Sequence, residues 1–348
     1  MKRFIIIVSI FSAIVLGSIY FLNRLLDEKE SSLVRRKPVV IGFSMGTTRE
    51  ERWFKDRDLF IQRAQELGAG VIVTLSDYDA AKQILQIENL VSQGVDVIVV
   101  IPADSEKIKS AIDEANKAGV KVIAYDRLIT NSKIDLYISF DNVKVGDLEA
   151  SSVLAATSRG NFAYIGGSPT DNNASLLKEG TMNLLSPKIA NGDINLVIDT
   201  FIPDWKPEEA YKMIKEYLSS GKKLDAVIAA NDGLASGVIQ ALREKGLDGK
   251  VSVSGQDAEL SATQRIIAGT QMATVYKPIK SLAYKAAEIA VTLANDQVPE
   301  TNSSINNGEI DVPSYFLEPI LVDKTNMIET IIKDGYHTYN EVYGETAE

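Results

Sequence analysis

From residue 38 onward the chain alternates between two periodicities, and this alternation limits the fold more than any single motif. Short β-branched runs follow one another: "VVIGFSM", "GVIVTLS", "VDVIVVIP", "VKVIAYD" and "DLYISFD". Helical stretches such as residues 50–67 and 79–92 separate the first four. Strands spaced by helices form a parallel sheet covered on both faces. A second set then appears, "NFAYIGG", "INLVIDTFI", "LDAVIAAND", "KVSVSGQD" and "QMATVYK", again mostly separated by helices. Two sets of about five strands imply two doubly wound α/β domains of ~130 residues each. One more helix is expected after Lys277, and "SYFLEPILVD" reads as a late strand.

Composition narrows the function classes. The 348 residues are 45% hydrophobic and 24% charged, the balance of a folded globular chain. A formal net charge of −10 lacks the basic footprint of a nucleic-acid surface. With no cysteine there is no disulfide, zinc-thiolate site, thiol nucleophile or lipidated cysteine. The lone histidine, His337, reads as a plain surface residue; with only one, a His-based metal site or catalytic triad is not expected, though carboxylates could still serve either purpose.

At the N-terminus Lys2 and Arg3 precede an uncharged run, residues 4–22, with Phe4 at one end and Leu22 at the other. At 1.5 Å per residue such a helix spans ~28 Å, about a bilayer's hydrocarbon core. The leading positive charges would keep the N-terminus in the cytoplasm and everything after Leu22 outside. The segment is read as a retained single-pass membrane anchor, followed by a charged stalk over residues 23–37. A cleaved signal peptide is the competing reading, with only a weak cut site after Val15, Leu16 and Gly17.

In open α/β sheets, ligands sit beyond the carboxyl ends of the strands. Here those ends carry "TTREERW", "YDR", "GGSPTDNN", "FIPDW", "AAND", "SGQD" and "VYK". The set is rich in planar hydrogen-bonding groups and includes both tryptophans, Trp53 and Trp205. A sugar needs both chemistries. Its hydroxyls are read by carboxylates, amides and guanidinium groups, and its apolar C–H faces lie on aromatic rings. No turn has the glycine pattern of a phosphate loop. Each residue also has a plainer reading. Asp126 and Arg127 could pair with neighbours, Asn231 and Asp257 could cap helices, Lys277 could be a solvated strand end, and the tryptophans could be core.

The segments "ERWFKDRD", "AYDRLI", "DLYISFDN", "GGSPTDNN", "AAND", "SGQDAE" and "VYKP" resemble those of the bacterial D-xylose-binding proteins, within the type I periplasmic sugar-binding family. The resemblance runs from about Pro38 to about His337. It implies two Rossmann-like lobes joined by three crossing segments, a sugar closed between them, no cofactor and no catalysis. The implied division is residues 1–37 as anchor and stalk, 38–142 plus 279–311 as the N-terminal lobe, and 143–278 plus 312–348 as the C-terminal lobe. By matching position, Arg52 resembles a hydroxyl-binding arginine and Trp53 a stacking ring. Asp126 and Arg127 match the acid–base pair of the first lobe. Asp171 and Asn173 match contacts of the second lobe, and Trp205 matches the opposing ring. Asn231, Asp257 and Lys277 complete the implied ligand set.

The leading expectation is therefore an extracytoplasmic receptor for a monosaccharide, D-xylose first, held at the cell membrane through residues 4–22. It would report to a membrane partner such as a two-component histidine kinase, or deliver to an ABC permease. A sugar-active enzyme is the alternative, because carboxylates line the expected cleft. A transcriptional repressor, whose effector domains share such a fold, is disfavoured by the acidic balance and by the lack of an N-terminal DNA-binding helical module.

Overall fold

The computed structural model describes residues 38–344. The apolar run and stalk at residues 1–37 lie outside them. Two separate sheets account for the two sets of strands. The first holds β1 (Val40–Met45), β2 (Gly70–Leu75), β3 (Val97–Ile101), β4 (Lys121–Tyr125) and β5 (Leu136–Phe140), all parallel. The second holds β6 (Gly160–Gly166), β7 (Ile194–Phe201), β8 (Ala226–Ala229) and β9 (Ser252–Val253), also parallel. Later strands are β10 (Thr274–Tyr276), β11 (Ser303–Asn306), β12 (Asp311–Leu317) and β13 (Ile320–Val322). The first sheet runs in the order β11-β12-β5-β4-β3-β1-β2, the second β7-β6-β8-β9, and β10 pairs with β13.

Helices α1 (Arg52–Glu66), α2 (Ala80–Ser92) and α3 (Lys109–Lys117) serve the first sheet. The second is served by α4 (Asn142–Ala156), α5 (Asn172–Ala190), α6 (Pro207–Ser219) and α7 (Asp232–Arg243); α8 (Leu260–Ala268) packs beside β10 and β13, and α9 (Ile279–Ala294) returns to the first sheet beside α1. Strand alternation builds the two cores of each lobe. Along β3, Val97, Val99 and Ile101 face the α1–α9 side, while Ile98 and Val100 face the α2–α3 side. Along β8, Val227 and Ala229 join one apolar cluster and Ala226 and Ile228 another. This is the doubly wound α/β pattern expected from the sequence.

The chain passes between the sheets three times: after β5, after β10 and after β12. The third passage corrects an expected boundary. Ser314–Leu317 pair in register with Tyr137–Phe140, so β12 stays on the first sheet well past residue 311. The single late strand read from "SYFLEPILVD" is two strands, β12 on the first sheet and β13 paired with β10, broken at Glu318-Pro319. Pro319 cannot donate to a ladder, which suits a switch point. Strand β11, "SSIN", was not anticipated; it is a largely exposed polar edge with no apolar alternation to reveal it.

Candidate functional site

The carboxyl ends of the two sheets face one cavity of about 290 Å³, mouth included. All ten residues singled out in the sequence line it, together with Glu50 and Gln256. The convergence follows from local structure. Helix α1 buries Arg52, Trp53, Asp56, Phe60 and Ala64, so its first turn carries the arginine and the ring inward from the end of β1. Asp126 and Arg127 follow β4 directly. Asp171 caps α5 and Asn231 caps α7, each accepting a backbone N–H, while Asn173 sits in the first turn of α5.

Arg52 is the electrostatic centre. It is 1% exposed and pairs with Asp56 at 3.1 Å, Asp126 at 2.8 Å and Asp257 at 3.4 Å. Arg127 pairs not with its neighbour Asp126 but with Asp171 across the cleft, Nε to Oδ2, at 2.8 Å. Lys277 pairs with Asp257 at 2.8 Å. Burial pushes the Asp126 carboxyl up, but Arg52, Lys277 and Arg127 together hold it below the ordinary carboxylate range. At Glu50 burial prevails, and the carboxyl rises despite Arg127 and the bond from Trp53.

Both tryptophans are core residues and site residues at once. Trp53 packs with the first apolar cluster, donates its indole N–H to Glu50, and lies under Arg52 and Arg127, whose guanidinium carbons are 4.5 and 5.3 Å from its ring centroid. Trp205 packs with the second lobe's core and donates to Asp171 at 3.3 Å. A Cβ at Gly167 would come within 2.1 Å of that ring, so only glycine fits beneath it.

Two lining residues went unnoticed in the sequence. Glu50 and Glu51 are adjacent in "REERW", and nothing in the string tells which points inward; Glu51 instead pairs with Lys55 and accepts from the Leu260 N–H. Gln256 directly precedes Asp257, a signal that was available. Its Nε2 donates to the Ala230 carbonyl at 2.7 Å, and its Oε1 is buried without a partner. His337 is a correction. It is 4% exposed, and its Nε2 lies 2.8 Å from the Ala258 carbonyl. Among the described residues no cluster of three or more His, Asp or Glu could hold a metal.

The cavity lining carries three cations, Arg52, Arg127 and Lys277, against four carboxylates, Glu50, Asp126, Asp171 and Asp257. Most already satisfy one another, so the cavity presents donors and acceptors without a large unpaired charge. That suits a small, neutral, polar ligand with an apolar face.

The family model for the periplasmic binding protein domain matches residues 41–297. The chain belongs to the periplasmic binding protein family. It is 49% identical over 314 residues to the D-xylose-binding periplasmic protein of Haemophilus influenzae, covering 90% of this chain and 95% of that one. It is 48% identical over 307 residues to the D-xylose-binding periplasmic protein of Escherichia coli, covering 88% and 93%. Among solved structures, a carbohydrate transporter solute binding protein from Chloroflexus aurantiacus in complex with D-glucose superposes with a TM-score of 0.81 at 31% identity, covering 88% of this chain and 98% of that one.

These relatives correct the expected location. Proteins aligned over nine-tenths of the chain are named as periplasmic, against the reading of a receptor held in the cell membrane by residues 4–22. That run lies outside the described residues, and among the described residues no helix is long and apolar enough to cross a membrane. Lack of charge and Lys2-Arg3 are features that an export signal shares with an anchor, so they could not separate the two.

Proposed function

We propose that the cavity binds one neutral monosaccharide, D-xylose first, between the two lobes, and that the chain delivers it to an ABC permease. The observation that carries the reading is a small, tightly lined cavity walled by mutually neutralised ions and two tryptophans. A charged ligand would lack a counter-charge here, and a disaccharide would lack room. The hydroxyls would be read by Asp126, Arg127, Asn173, Asn231, Asp257 and Lys277, with Arg52 and Asp171 bracing the charges and Trp53 and Trp205 against the sugar faces. The names of the two D-xylose-binding relatives support a pentose.

The chain acts as a receptor rather than a catalyst in this reading. Its cavity carboxylates are engaged by arginine, lysine or indole groups rather than free for acid–base work. Delivery is preferred to kinase sensing because the sensing reading drew on the membrane anchor, and because a relative of known structure is named as an ABC transporter solute binding protein.

Calorimetric titration with D-xylose, D-ribose, D-glucose and a charged sugar acid tests the site. Tight, stoichiometric binding of D-xylose with none of the sugar acid is expected. Preference for the acid, or cleavage of a xyloside on incubation, would overturn the reading. Xylose uptake by cells with and without the gene tests the output.

A further inference from the structure

Asp257 stands on a turn that backbone preference opposes. Its φ is 89° and that of Ala258 is 52°, two successive residues in the left-handed region that L side chains disfavour. The turn persists because its polar groups are tied from two directions.

From within the second lobe the tie is Asp232, fully buried at the start of α7. Its Oδ2 accepts from the Glu259 N–H at 3.1 Å and from the Thr274 hydroxyl at 2.8 Å. The Thr274 hydroxyl oxygen in turn accepts from the Ala258 N–H at 3.1 Å. Asp232 Oδ1 accepts from Gln271 Nε2 at 2.7 Å, which holds the carboxylate from behind. The Asp232 N–H donates to the Gln256 carbonyl at 3.0 Å. A Cβ at Gly255 would sit 2.2 Å from Asp232 Oδ1, so the turn is packed directly onto this carboxylate. From the other side, Tyr336 donates to the Asp257 carbonyl at 3.2 Å and His337 Nε2–H to the Ala258 carbonyl. Neither Asp232 nor Thr274 lines the cavity.

We propose that Asp232, acting through Thr274, is a positioning residue for ligand recognition: it fixes the left-handed turn that aims Asp257 at Lys277 and the bound sugar. The inference rests on the monosaccharide reading of the cavity. It explains why a carboxylate that reaches no ligand is buried directly behind one that does. Lys277 Nζ and Arg52 Nη1 reach Asp257 Oδ1 at 2.8 and 3.4 Å, so relaxation of the turn would weaken both contacts together.

The test uses the full chain and D-xylose. Thr274→Val preserves shape and removes only the relaying hydroxyl, whereas Thr274→Ser restores it. Thr274→Val is expected to weaken binding about tenfold and Thr274→Ser less than about twofold. With Asp257→Asn already present, Thr274→Val should cost less than about twofold further, because the residue it acts through is disabled. In sugar-free protein, amide exchange at Ala258 and Glu259 should quicken in the valine variant and not in the serine variant. Unchanged affinity and exchange in Thr274→Val, or equal losses with and without the Asp257 carboxylate, would overturn the inference. If the valine variant does not fold, Asp232→Asn enters the same cycle with the same criteria. A wild-type chain that binds no monosaccharide defeats the proposed function instead, and the exchange measurement still decides whether Asp232 holds the turn.

Discussion

Asp126 and Asp257 occupy corresponding positions in the two lobes, yet they are held in different ways. Each follows a strand end of its own sheet, each has a left-handed backbone, with φ of 62° and 89°, and each meets Arg52. Such a conformation costs a non-glycine residue about 1–2 kcal/mol, so each needs support. Asp126 finds most of it next door. Its N–H donates to the Ile138 carbonyl, and its own carbonyl accepts from Tyr137 at 2.9 Å and Ser139 at 2.7 Å, all on β5 of the same sheet. Asn173 adds a third donor from the second lobe at 3.0 Å. Among the described residues the Asp257 carbonyl accepts from Tyr336 alone, a residue far along the chain in the C-terminal segment. Lys55 of α1 in turn grips that segment, donating to the Tyr336 carbonyl at 2.9 Å and lying 3.9 Å from its ring centroid. The first carboxylate is thus set mainly by its own lobe. The second is set partly by a segment that the first lobe holds, which ties its placement to how the lobes meet.

The largest expected effect removes what the two sites share. Arg52→Leu leaves Asp56, Asp126 and Asp257 buried with their common cation gone. Uncompensated buried charge of this kind costs about 3–5 kcal/mol, so a large fall in thermal midpoint and loss of sugar binding are expected. A variant that melts like wild type would mean that neither carboxylate relies on Arg52.

A smaller effect separates the two sites. Tyr137→Phe leaves Ser139 and Asn173 on the Asp126 carbonyl, whereas Tyr336→Phe leaves the Asp257 carbonyl with no donor. With about 1 kcal/mol for a net hydrogen bond, Tyr336→Phe should weaken xylose binding about fivefold and Tyr137→Phe about twofold or less. Calorimetry on the pair is the check. The reverse order would show that redundancy of donors is not what distinguishes the two supports.

The strand ends were legible in the sequence because apolar alternation stops there and polar residues begin. That pointed to the stretches, and the family resemblance picked out the ten residues within them that the fold brings to one cavity. Some of the plainer readings hold beside a place in the cavity: Asn231 caps α7 through Oδ1 and still faces the cavity, and Trp53 and Trp205 are both core and lining. Others do not: Asp257 caps no helix, and Lys277 is buried rather than solvated. Asp126 and Arg127 do form ion pairs, but with Arg52 and Asp171 rather than with each other. What stayed hidden is long-range. Nothing near His337 in the string says that it will brace residues 257–258, and nothing marks which aspartates will be left-handed.

The smallest predicted effect concerns pH, where Asp126 and the carboxylate behind Asp257 should respond in opposite senses. Asp126 sits below the ordinary carboxylate value, because its three cationic neighbours outweigh burial. Its contribution to stability is present above the unfolded pKa and is lost as pH falls through the folded one. Asp232, behind Asp257, is pushed up to about 7 by burial, against the pull of Arg265, Thr274 and Gln271. Folding favours its protonated form, so its contribution is complete below the unfolded value and lost as pH rises through about 7. Thermal midpoints of wild type and Asp232→Asn between pH 4 and pH 8 isolate this carboxylate, since the amide removes its titration while nearly preserving its shape. The wild type should lose stability relative to the variant as pH climbs through that window. Parallel curves would mean that the three donors aimed at Asp232 keep it ionised throughout, and the contrast with Asp126 would then lie in geometry alone.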